Sequence, residues 1–363
     1  MSTEINEEKK SAELESWDAL CDQLREAGRR VMEAAPDDAL DRAEGLRYLA
    51  RLVAAFLGGV TADSAPARQV LVSRPMKVGL DNPDFVYYRA SLDPNFRYVL
   101  RGELGDAQFL GIGAFSGNLG SKEGLVRDGY VETTQLEVDA EGGFELGIST
   151  EEQPGNWLAM GTSTNALQVR QVLLERRHQR PARLELEKLG ESPAPPALDP
   201  ERFLRSLQGA GGLVAGTLGQ FLGWSQHFQG HKHEIRPIPA ELMAFAQGDP
   251  NTSYNYSYWE LAEDEAFVIE FTPPACEYWN LQIGNHWLES LDFFHHDTHV
   301  NHHTAVADEE GRVRVIVARR DPGLPNWLDT AGHVRGGLAL RWVGADATPE
   351  PVCRVVPISE ASA

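Results

Sequence analysis

The sequence predicts a mainly β protein with added helices, an α+β fold built from two antiparallel β-sandwich or jelly-roll-like segments. Two regions contain short apolar or alternating runs separated by turn residues, which is the pattern of β-strands. In the first region no segment of helix length lies between consecutive runs, so neighbouring strands there are expected to pair antiparallel. Helical patterns precede each region, and they predict a helical N-terminus and a helical linker.

Residues 1–65 are predicted to form a helical segment after a disordered tail that ends near Ala12. Apolar residues recur at helical spacing between Leu14 and Val31, and Pro36 follows this first helix. We expect the helix to cover a sheet.

A second amphipathic helix follows, with Asp37 as its predicted N-cap and Gly58-Gly59 at its end. This helix is also expected to cover a sheet. Its predicted buried stripe consists of Leu40, Ala43, Leu46, Leu49, Val53 and Phe56.

Residues 66–190 are predicted to be the first β-rich domain, and residues 251–363 the second. Between them, residues 191–250 are predicted to hold a proline-rich linker, Glu191–Leu198, and helices that begin at Asp199-Pro200. The predicted strands are Arg97–Arg101, Gln108–Phe115, Tyr130–Val138, Phe144–Ser149, Leu167–Leu174, Ala266–Phe271, Tyr278–Ile283, Arg312–Ala318 and Leu338–Val343.

Composition narrows the partners and the compartment. A formal net charge of -21 over 363 residues would repel nucleic acid and anionic membranes, so we expect neither as a partner. Three widely spaced cysteines indicate free thiols in a reducing compartment. There is no basic-then-apolar leader and no apolar run near the ~20 residues of a membrane span. These features predict a cytoplasmic protein.

Common catalytic signatures are missing from the sequence. The run Gly209–Gly219 lacks the Gly-Lys-Ser/Thr ending of a phosphate loop, and we interpret it as close helix packing on small residues. No dinucleotide fingerprint and no Gly-x-Ser-x-Gly elbow occurs. The sequence therefore gives no nucleotide or nicotinamide signature.

Several short sequence motifs occur along the chain and together resemble those of a known family. They are Asn82-Pro83-Asp84 with Tyr87-Tyr88, Ala43–Leu49, Tyr278-Trp279-Asn280, Leu291-Asp292 and Asp321–His333. With these motifs most of the chain resembles the bacterial family catalogued as domain of unknown function 1214. The resemblance implies β-barrel or jelly-roll sheets with helical additions, and some members of the family look like oligomers, so a homo-oligomer is a possible assembly. It carries no catalytic residue onto this chain.

The stretch Tyr278–His333 holds seven of the eleven histidines and three of the eight tryptophans. If Phe293–Val306 is extended, its side chains alternate between two faces, and the odd-numbered face is the better chemical surface because a carboxylate lies beside imidazoles there. A turn in the later Pro/Gly/Asn-rich loop could bring a second such pair together. The predicted catalytic residues are Asp297, His299, His303, Asp329 and His333.

Further residues are predicted to bind a substrate, each with a structural alternative. Tyr87 and Arg89 could orient a substrate, although tyrosines in a strand often form cross-strand packing. His286 and Trp287 follow a strand and could line a pocket mouth or belong to the core. Asn326 and Trp327 could form a pocket wall or anchor a loop.

A metal site is a separate hypothesis. Residues four apart on a strand lie about 13 Å apart, too far for two imidazoles on one zinc ion. His231 and His233 form a better-spaced pair that could hold a divalent transition metal. The alternative is a solvated or hydrogen-bonded histidine loop.

Three functions remain open. The first is a small-molecule enzyme using His/Asp acid–base chemistry on a partly apolar substrate, either a dehydratase-like lyase or a hydrolase. The second is a non-catalytic jelly-roll protein that binds a ligand or assembles into a homo-oligomer, and the third is a His-ligated metalloenzyme. Convergence of His299, His303, Asp329 and His333 on one pocket would favour the enzyme.

Overall fold

The computed structural model describes residues 2–62, 67–73, 76–191, 197–244 and 248–362. The helices are α1 (Ser2–Ala34), α2 (Ala39–Thr61), α3 (Pro200–Gln229) and α4 (Ala240–Ala244). Helix α1 begins at Ser2 and therefore includes the segment that was predicted to be a disordered tail. Residues 192–196 of the predicted proline-rich linker lie outside the described residues.

The N-terminal half is a β-sandwich. Its strands are β1 (Arg68–Val70), β2 (Phe85–Ser91), β3 (Arg97–Glu103), β4 (Leu110–Gly117), β5 (Leu125–Glu132), β6 (Gly143–Ser149), β7 (Trp157–Ala159), β8 (Thr164–Val172) and β9 (Arg183–Leu189). They form one sheet in the order β1-β9-β3-β6-β7 and another in the order β2-β8-β4-β5. Leu100, Ile112, Leu146 and Val169 belong to the apolar core that joins the two sheets.

The C-terminal half is a second sandwich. Its strands are β10 (Arg236–Pro237), β11 (Thr252–Glu260), β12 (Glu265–Phe271), β13 (Tyr278–Ile283), β14 (His299–Asn301), β15 (Val313–Ala318), β16 (Trp327–Asp329), β17 (Arg335–Val343) and β18 (Val352–Pro357). The sheet orders are β10-β11-β17-β13-β14 and β16-β15-β12-β18. Trp259, Phe267, Leu281 and Leu340 lie in their shared core.

The predicted fold class is confirmed, with two corrections to its detail. Among the described strands, β6–β7 and β15–β16 pair in parallel, whereas the sequence predicted only antiparallel pairing. The predicted strand Tyr130–Val138 is wrong in its second half. There β5 ends at Glu132, and a short 3₁₀-helix, Thr133–Gln135, follows it.

Strand β13 explains how the two sandwiches meet. Its residues Trp279, Leu281 and Ile283 point into the C-terminal core, while the alternate residues are polar or aromatic. The whole strand is nevertheless buried, because Tyr278 packs with Phe85 of the N-terminal half. The two inner sheets therefore face each other across a central layer that mixes polar and aromatic side chains.

The helices cover one side of this layered body. Helices α1, α2 and α3 share an apolar cluster with Trp287, which follows β13. Helix α3 also packs against β11 through Trp224 and Phe228. Within the described part of the chain, no helix combines the length and the apolar composition needed to cross a membrane. Because α2 packs on Trp287, it lies beside the turn that follows β13.

Candidate functional site

A cleft of about 510 Å³ lies where α2, β2, the chain around Lys77 and the turn before β14 meet. Four cationic side chains line it, Arg47, Arg51, Lys77 and Arg176, together with the carboxylates of Glu44, Asp81 and Asp292. An apolar wall is formed by Leu40, Leu291, Phe293 and Phe294, and two histidines, His296 and His333, also reach the cleft. The cleft thus combines an excess of Lys and Arg over carboxylates with apolar surface, in a strongly acidic chain.

The histidine-rich segment turns before it becomes a strand, which corrects the expectation of an extended Phe293–Val306. The amide of His296 donates to the carbonyl of Asp292 at 3.0 Å, as in a helical turn. Only His299–Asn301 is a strand, and Asn301 Oδ1 then accepts the amide of His303 at 3.0 Å in a second turn. The predicted division into odd and even faces therefore fails for the residues before His299, and an even-numbered histidine reaches the cleft.

Arg177 holds this turn in place. Its Nη2 donates to the carbonyls of Phe293 and His296, each at 2.8 Å. Its Nη1 lies 3.1 Å from the carboxylate of Asp297. Asp297, a predicted catalytic residue, is thus an exposed partner of Arg177 and does not line the cleft.

His296 and Asp329 form a carboxylate–imidazole pair at the edge of the cleft. Nδ1 of His296 lies 2.7 Å from Oδ2 of Asp329, and the His296 side chain is 40% exposed. The other carboxylate oxygen of Asp329 accepts the amide of Ala331 at 2.8 Å, which fixes the carboxylate. No described residue bonds to Nε2 of His296. A carboxylate on one ring nitrogen selects the tautomer in which the other can exchange a proton with a substrate.

His333 pairs with Glu44, not with Asp329 as the loop spacing indicated. Nε2 of His333 lies 2.9 Å from Oε2 of Glu44, and Nδ1 lies 2.8 Å from the Thr330 carbonyl. Burial would lower the pKa of His333, but the bond to Glu44 and its charge outweigh burial and raise the pKa. Burial would raise the pKa of Glu44, but the bonds from His333 and Asn285 and the charge of Arg47 lower it. Both shifts favour an imidazolium paired with a carboxylate.

Two further carboxylates are buried beside the cleft. Glu289 contacts Arg51 and accepts Asn285 Nδ2 at 3.0 Å, and burial raises the pKa of Glu289. Asp41 accepts Arg335 Nη1 at 3.2 Å, and burial likewise raises the pKa of Asp41. These groups connect α2 to the C-terminal sandwich by a continuous polar network.

The remaining predicted catalytic residues lie elsewhere. His299 places Nε2 3.0 Å from the buried Asp84 carboxylate, in the layer between the two sandwiches. His303 is exposed, and its Nε2 lies 3.8 Å from Glu175. Convergence of four predicted residues on one pocket was expected for an enzyme. Of these, His333 lines the cleft and Asp329 contacts it through His296, whereas His299 and His303 do not line it.

Two of the predicted substrate-binding residues belong to the core. Nδ1 of His286 lies 2.7 Å from the Tyr258 hydroxyl, and burial lowers the pKa of His286 to about 4, so the ring is neutral near pH 7. Trp287 is buried and donates its indole N–H to the Asp41 carbonyl at 2.8 Å. Both side chains therefore belong to the core, which was the structural alternative for these two residues.

Asn326 and Trp327 stabilise a loop away from the cleft. Asn326 adopts a φ of 56° and donates to the carbonyls of Val306 and Arg314. Trp327 donates its indole N–H to the Ala318 carbonyl at 3.0 Å. Both side chains anchor this loop, and Asn326 also lines a separate pocket of about 380 Å³. Tyr87 does line the cleft, and with Arg89 it lines a second cavity.

His231 and His233 do not share an ion site. His233 points its Nε2 at the backbone of Glu260 and packs its ring on Phe267, while the ring of His231 lies against His227. Across the described ranges, no three His, Cys, Asp or Glu side chains come together as metal ligands. The residues named for the metal hypothesis thus do not fit a transition-metal centre.

The cleft residues that sequence reasoning missed are His296, Glu44 and the cations. A signal for Glu44 existed on α2, where Asp41, Glu44 and Tyr48 follow helical spacing. The face of α2 that is buried contains those three residues with Leu52, whereas Leu40 and Leu46 of the predicted stripe are exposed. Carboxylates on a buried helix face need partners, and so mark a polar site.

Comparisons with known proteins place the chain beside a solved structure. No family model matches the sequence, and no curated protein is significantly similar to it. The chain is similar to the crystal structure of an uncharacterised protein from Burkholderia cenocepacia, with 38% identity, a TM-score of 0.89, and coverage of 95% of this chain and 97% of that chain. It is also similar to the VPA0106 protein from Vibrio parahaemolyticus, with 13% identity, a TM-score of 0.49, and coverage of 76% of this chain and 90% of that chain.

Proposed function

The chain belongs to the same family as the uncharacterised Burkholderia cenocepacia protein, and from the geometry of its cleft we propose that it is an enzyme that moves protons on a small anion. His296 is the proposed acid–base residue and Asp329 its positioning residue. The proposed reaction is loss of water from a hydroxycarboxylate, as in a dehydratase-like lyase, with hydrolysis of a carboxylic ester as the alternative.

The observation that supports this function is the 2.7 Å contact between Nδ1 of His296 and Asp329 at the edge of a cation-lined cleft. In the lyase reaction on a 3-hydroxycarboxylate, Nε2 takes the proton from C2, the carbon next to the carboxylate. The resulting imidazolium returns that proton to the C3 hydroxyl, which leaves as water as the C2–C3 double bond forms. In the hydrolase reaction, the same nitrogen takes a proton from the water that attacks the ester carbonyl, and returns it to the alcohol oxygen as the acyl C–O bond breaks and the alcohol leaves. Positioned proton transfer of this kind accounts for about 10²- to 10⁴-fold in rate.

The lining supports an anionic, partly apolar substrate. Arg47 and Arg51 line one side of the cleft and pair with Glu44 and Glu289. Lys77 and Arg176 also line the cleft and bond only to backbone carbonyls among the described residues, so they are the cations proposed to bind a substrate carboxylate. Phe293 and Phe294 are held by Arg176, whose guanidinium lies 4.8 Å and 5.4 Å from the two ring centres. Their rings, with Leu40, offer an apolar wall of the kind found in small-molecule sites.

The test is turnover of a substrate panel by matched variants. Wild-type protein is incubated with 3-hydroxycarboxylates and with short carboxylic esters, and products are followed by mass spectrometry. H296Q is expected to reduce turnover about 100-fold or more, and D329N to reduce kcat with little change in KM, because the tautomer is lost. H295Q is the control, since His295 lies next in the chain, pairs with Asp292 and is largely exposed.

Two results would reject the proposal. Equal turnover by wild type and H296Q would show that another group transfers the proton. Binding of the carboxylates without turnover of any panel member would favour the alternative of a non-catalytic ligand-binding protein.

We also infer that the chain belongs to the bacterial family catalogued as domain of unknown function 1214, and the motifs described above support this. A cytoplasmic location is a further inference, supported by three free cysteines.

A further inference from the structure

A second cavity, of about 150 Å³, lies in the central layer between the two sandwiches. It is bounded by β2 and β8 of the N-terminal half, by β11 and β17 of the C-terminal half, and by α3. Asp81, Phe85 and Tyr87 border both this cavity and the cleft. The proton-transfer function uses none of the other residues of the cavity.

The C-terminal wall of the cavity is aromatic. Tyr254 and Tyr256 lie on the same face of β11 with nearly parallel rings, 6.5 Å apart and inclined by 8°. Trp224 of α3 meets Tyr256 edge to face at 6.0 Å. Phe228 stacks on Tyr256 at 4.8 Å, so these rings are held rigidly and give the cavity an aromatic wall for another ring.

Three arginines face the same space. Alternation along β2 puts Phe85, Tyr87 and Arg89 on the cavity side, and the pairing of Tyr87 with Arg170 brings a second guanidinium from β8 beside Arg89. The third is Arg341 of β17, which is almost fully buried. Cations on both walls make the cavity a site of positive potential inside an acidic protein.

The described carboxylates do not neutralise two of these charges. Arg341 donates to neutral acceptors, the Leu80 carbonyl and Gln282 Oε1, and its guanidinium lies 5.9 Å from the Tyr254 ring centre. No described carboxylate forms an ion pair with Arg89 or Arg341. Asp81 alone among the described lining residues has a carboxylate, and that group accepts both the amide and the hydroxyl of Ser290. Arg341 is buried, whereas Arg89 is exposed to solvent. The uncompensated buried charge is therefore that of Arg341, and a bound anion would offset it.

We propose that this cavity is a binding site for an aromatic carboxylate with a single ring, of the size of benzoate. The volume sets the size, because a cavity of about 150 Å³ accommodates one benzene-sized ring. The carboxylate accepts hydrogen bonds from Arg89, whose planar guanidinium matches its two oxygens. The ring lies between the Tyr254 and Tyr256 side and the aromatic residues of β2 and α3.

The experiment is calorimetric titration of the full-length protein with benzoate. R89Q is expected to weaken benzoate binding about 10- to 100-fold, since a charge-assisted bond is lost, and R89K to lie between R89Q and wild type. Benzyl alcohol, with the same ring and no charge, is expected to bind wild type at least tenfold more weakly than benzoate. Benzoate is also expected to raise the melting temperature of wild type more than that of R89Q.

R47Q and H296Q separate this site from the cleft. Both residues line the cleft and neither lines the cavity, so both variants are expected to bind benzoate as wild type does. Equal affinity of R89Q and wild type, loss of binding in R47Q, or no heat of binding with wild type at millimolar benzoate would each overturn the inference. Failure of H296Q to lose turnover would reject the proposed function and leave this site untouched.

Discussion

The two histidines of the cleft differ in what their ring nitrogens contact. Both nitrogens of His333 face acceptors, the Glu44 carboxylate and the Thr330 carbonyl, so the ring is held doubly protonated. His296 has one nitrogen on a carboxylate, and among described residues the other has no hydrogen-bond partner. The first arrangement stabilises charge, whereas the second can exchange a proton with a bound molecule. This difference is why His296 and not His333 is the proposed acid–base residue.

The pair formed by Glu44 and His333 predicts a stability that depends on pH. The pKa of His333 is raised in the folded state, so its contribution is complete below the unfolded value near 6.5 and is lost as pH rises through the folded value. The pKa of Glu44 is lowered, so its contribution is complete above the unfolded value near 4.5 and is lost as pH falls. We expect E44Q to cost about 3 kcal/mol near pH 5.5 and clearly less at pH 9, because a buried charge loses its partner only while His333 is protonated.

Melting temperatures of wild type and E44Q at the two pH values measure this difference. E33Q is the control, because Glu33 is exposed on α1 and the same substitution there is expected to change stability little at either pH. A destabilisation of E44Q that is equal at pH 5.5 and pH 9 would contradict an ionised pair.

At the level of single residues, the sequence located part of the site and misassigned the partners. Asp329 and His333 were identified because they lie four residues apart in one loop, but each pairs with a residue distant in the chain, His296 or Glu44. Sequence spacing cannot show such long-range pairs. His296 was passed over because β-branched neighbours favoured a strand, whereas Arg177, far away in sequence, closes the segment into a turn.

At the level of elements, helix α2 joins the cleft to the body of the protein. Its N-cap is Asp38, whose carboxylate accepts the amides of Leu40 and Asp41, one residue later than predicted. One side of the helix supplies Leu40, Glu44, Arg47 and Arg51 to the cleft. The adjoining side packs on α1 and Trp287 at Gly45, where the backbone approaches closely.

This close approach predicts opposite effects of one substitution at two glycines of α2. A Cβ at Gly45 would lie within 2.7 Å of Cε2 of Trp287 and of Cγ1 of Val31, whereas a Cβ at Gly58 meets nothing within 4 Å. G45A is expected to destabilise the protein by about 1–3 kcal/mol through overpacking. G58A is expected to stabilise it by up to about 1 kcal/mol, because alanine favours a helix over glycine.

Urea unfolding of the two variants gives the free energies. Since both substitutions gain the same helix propensity, their difference isolates the contact with Trp287 and Val31. A G45A protein as stable as G58A would show that α2 does not pack closely at this point.

Elements were predictable where one pattern dominated. The buried strand Tyr278–Ile283 was predicted with its observed limits, because its apolar and aromatic run is bounded by turn residues. Short edge strands such as β1 and β7 were not predicted, since three residues give no periodicity and their pairing depends on neighbours distant in sequence. The buried face of α2 was misjudged because apolar content alone does not reveal a helix face that is buried through polar bonds.

At the level of the whole molecule, the central layer joins the two sandwiches by bonds that cross it. The Tyr278 hydroxyl donates to Asp84 at 2.7 Å and accepts Asn82 Nδ2 at 2.9 Å, and His299 bonds to the same Asp84 carboxylate. Tyr278 and Asp84 are both completely buried. Buried polar groups of this kind are costly to separate, so neither sandwich can leave the other without exposing unsatisfied partners. The sequence indicated two β-rich domains but could not show that they share this layer.

The layer predicts that the two sandwiches unfold as one unit. Y278F removes one of the bonds to a buried carboxylate and is expected to destabilise the protein by about 1–3 kcal/mol. Y98F removes a hydroxyl that accepts the Asp93 amide within the N-terminal sandwich and serves as the matched variant. Hydrogen exchange of β3 and β8 reports on one sandwich, and that of β13 and β17 on the other. Because the bonds of Tyr278 cross the layer, both variants should accelerate exchange in both sandwiches. Acceleration confined to the sandwich that contains the substitution would mean that the two sandwiches unfold independently.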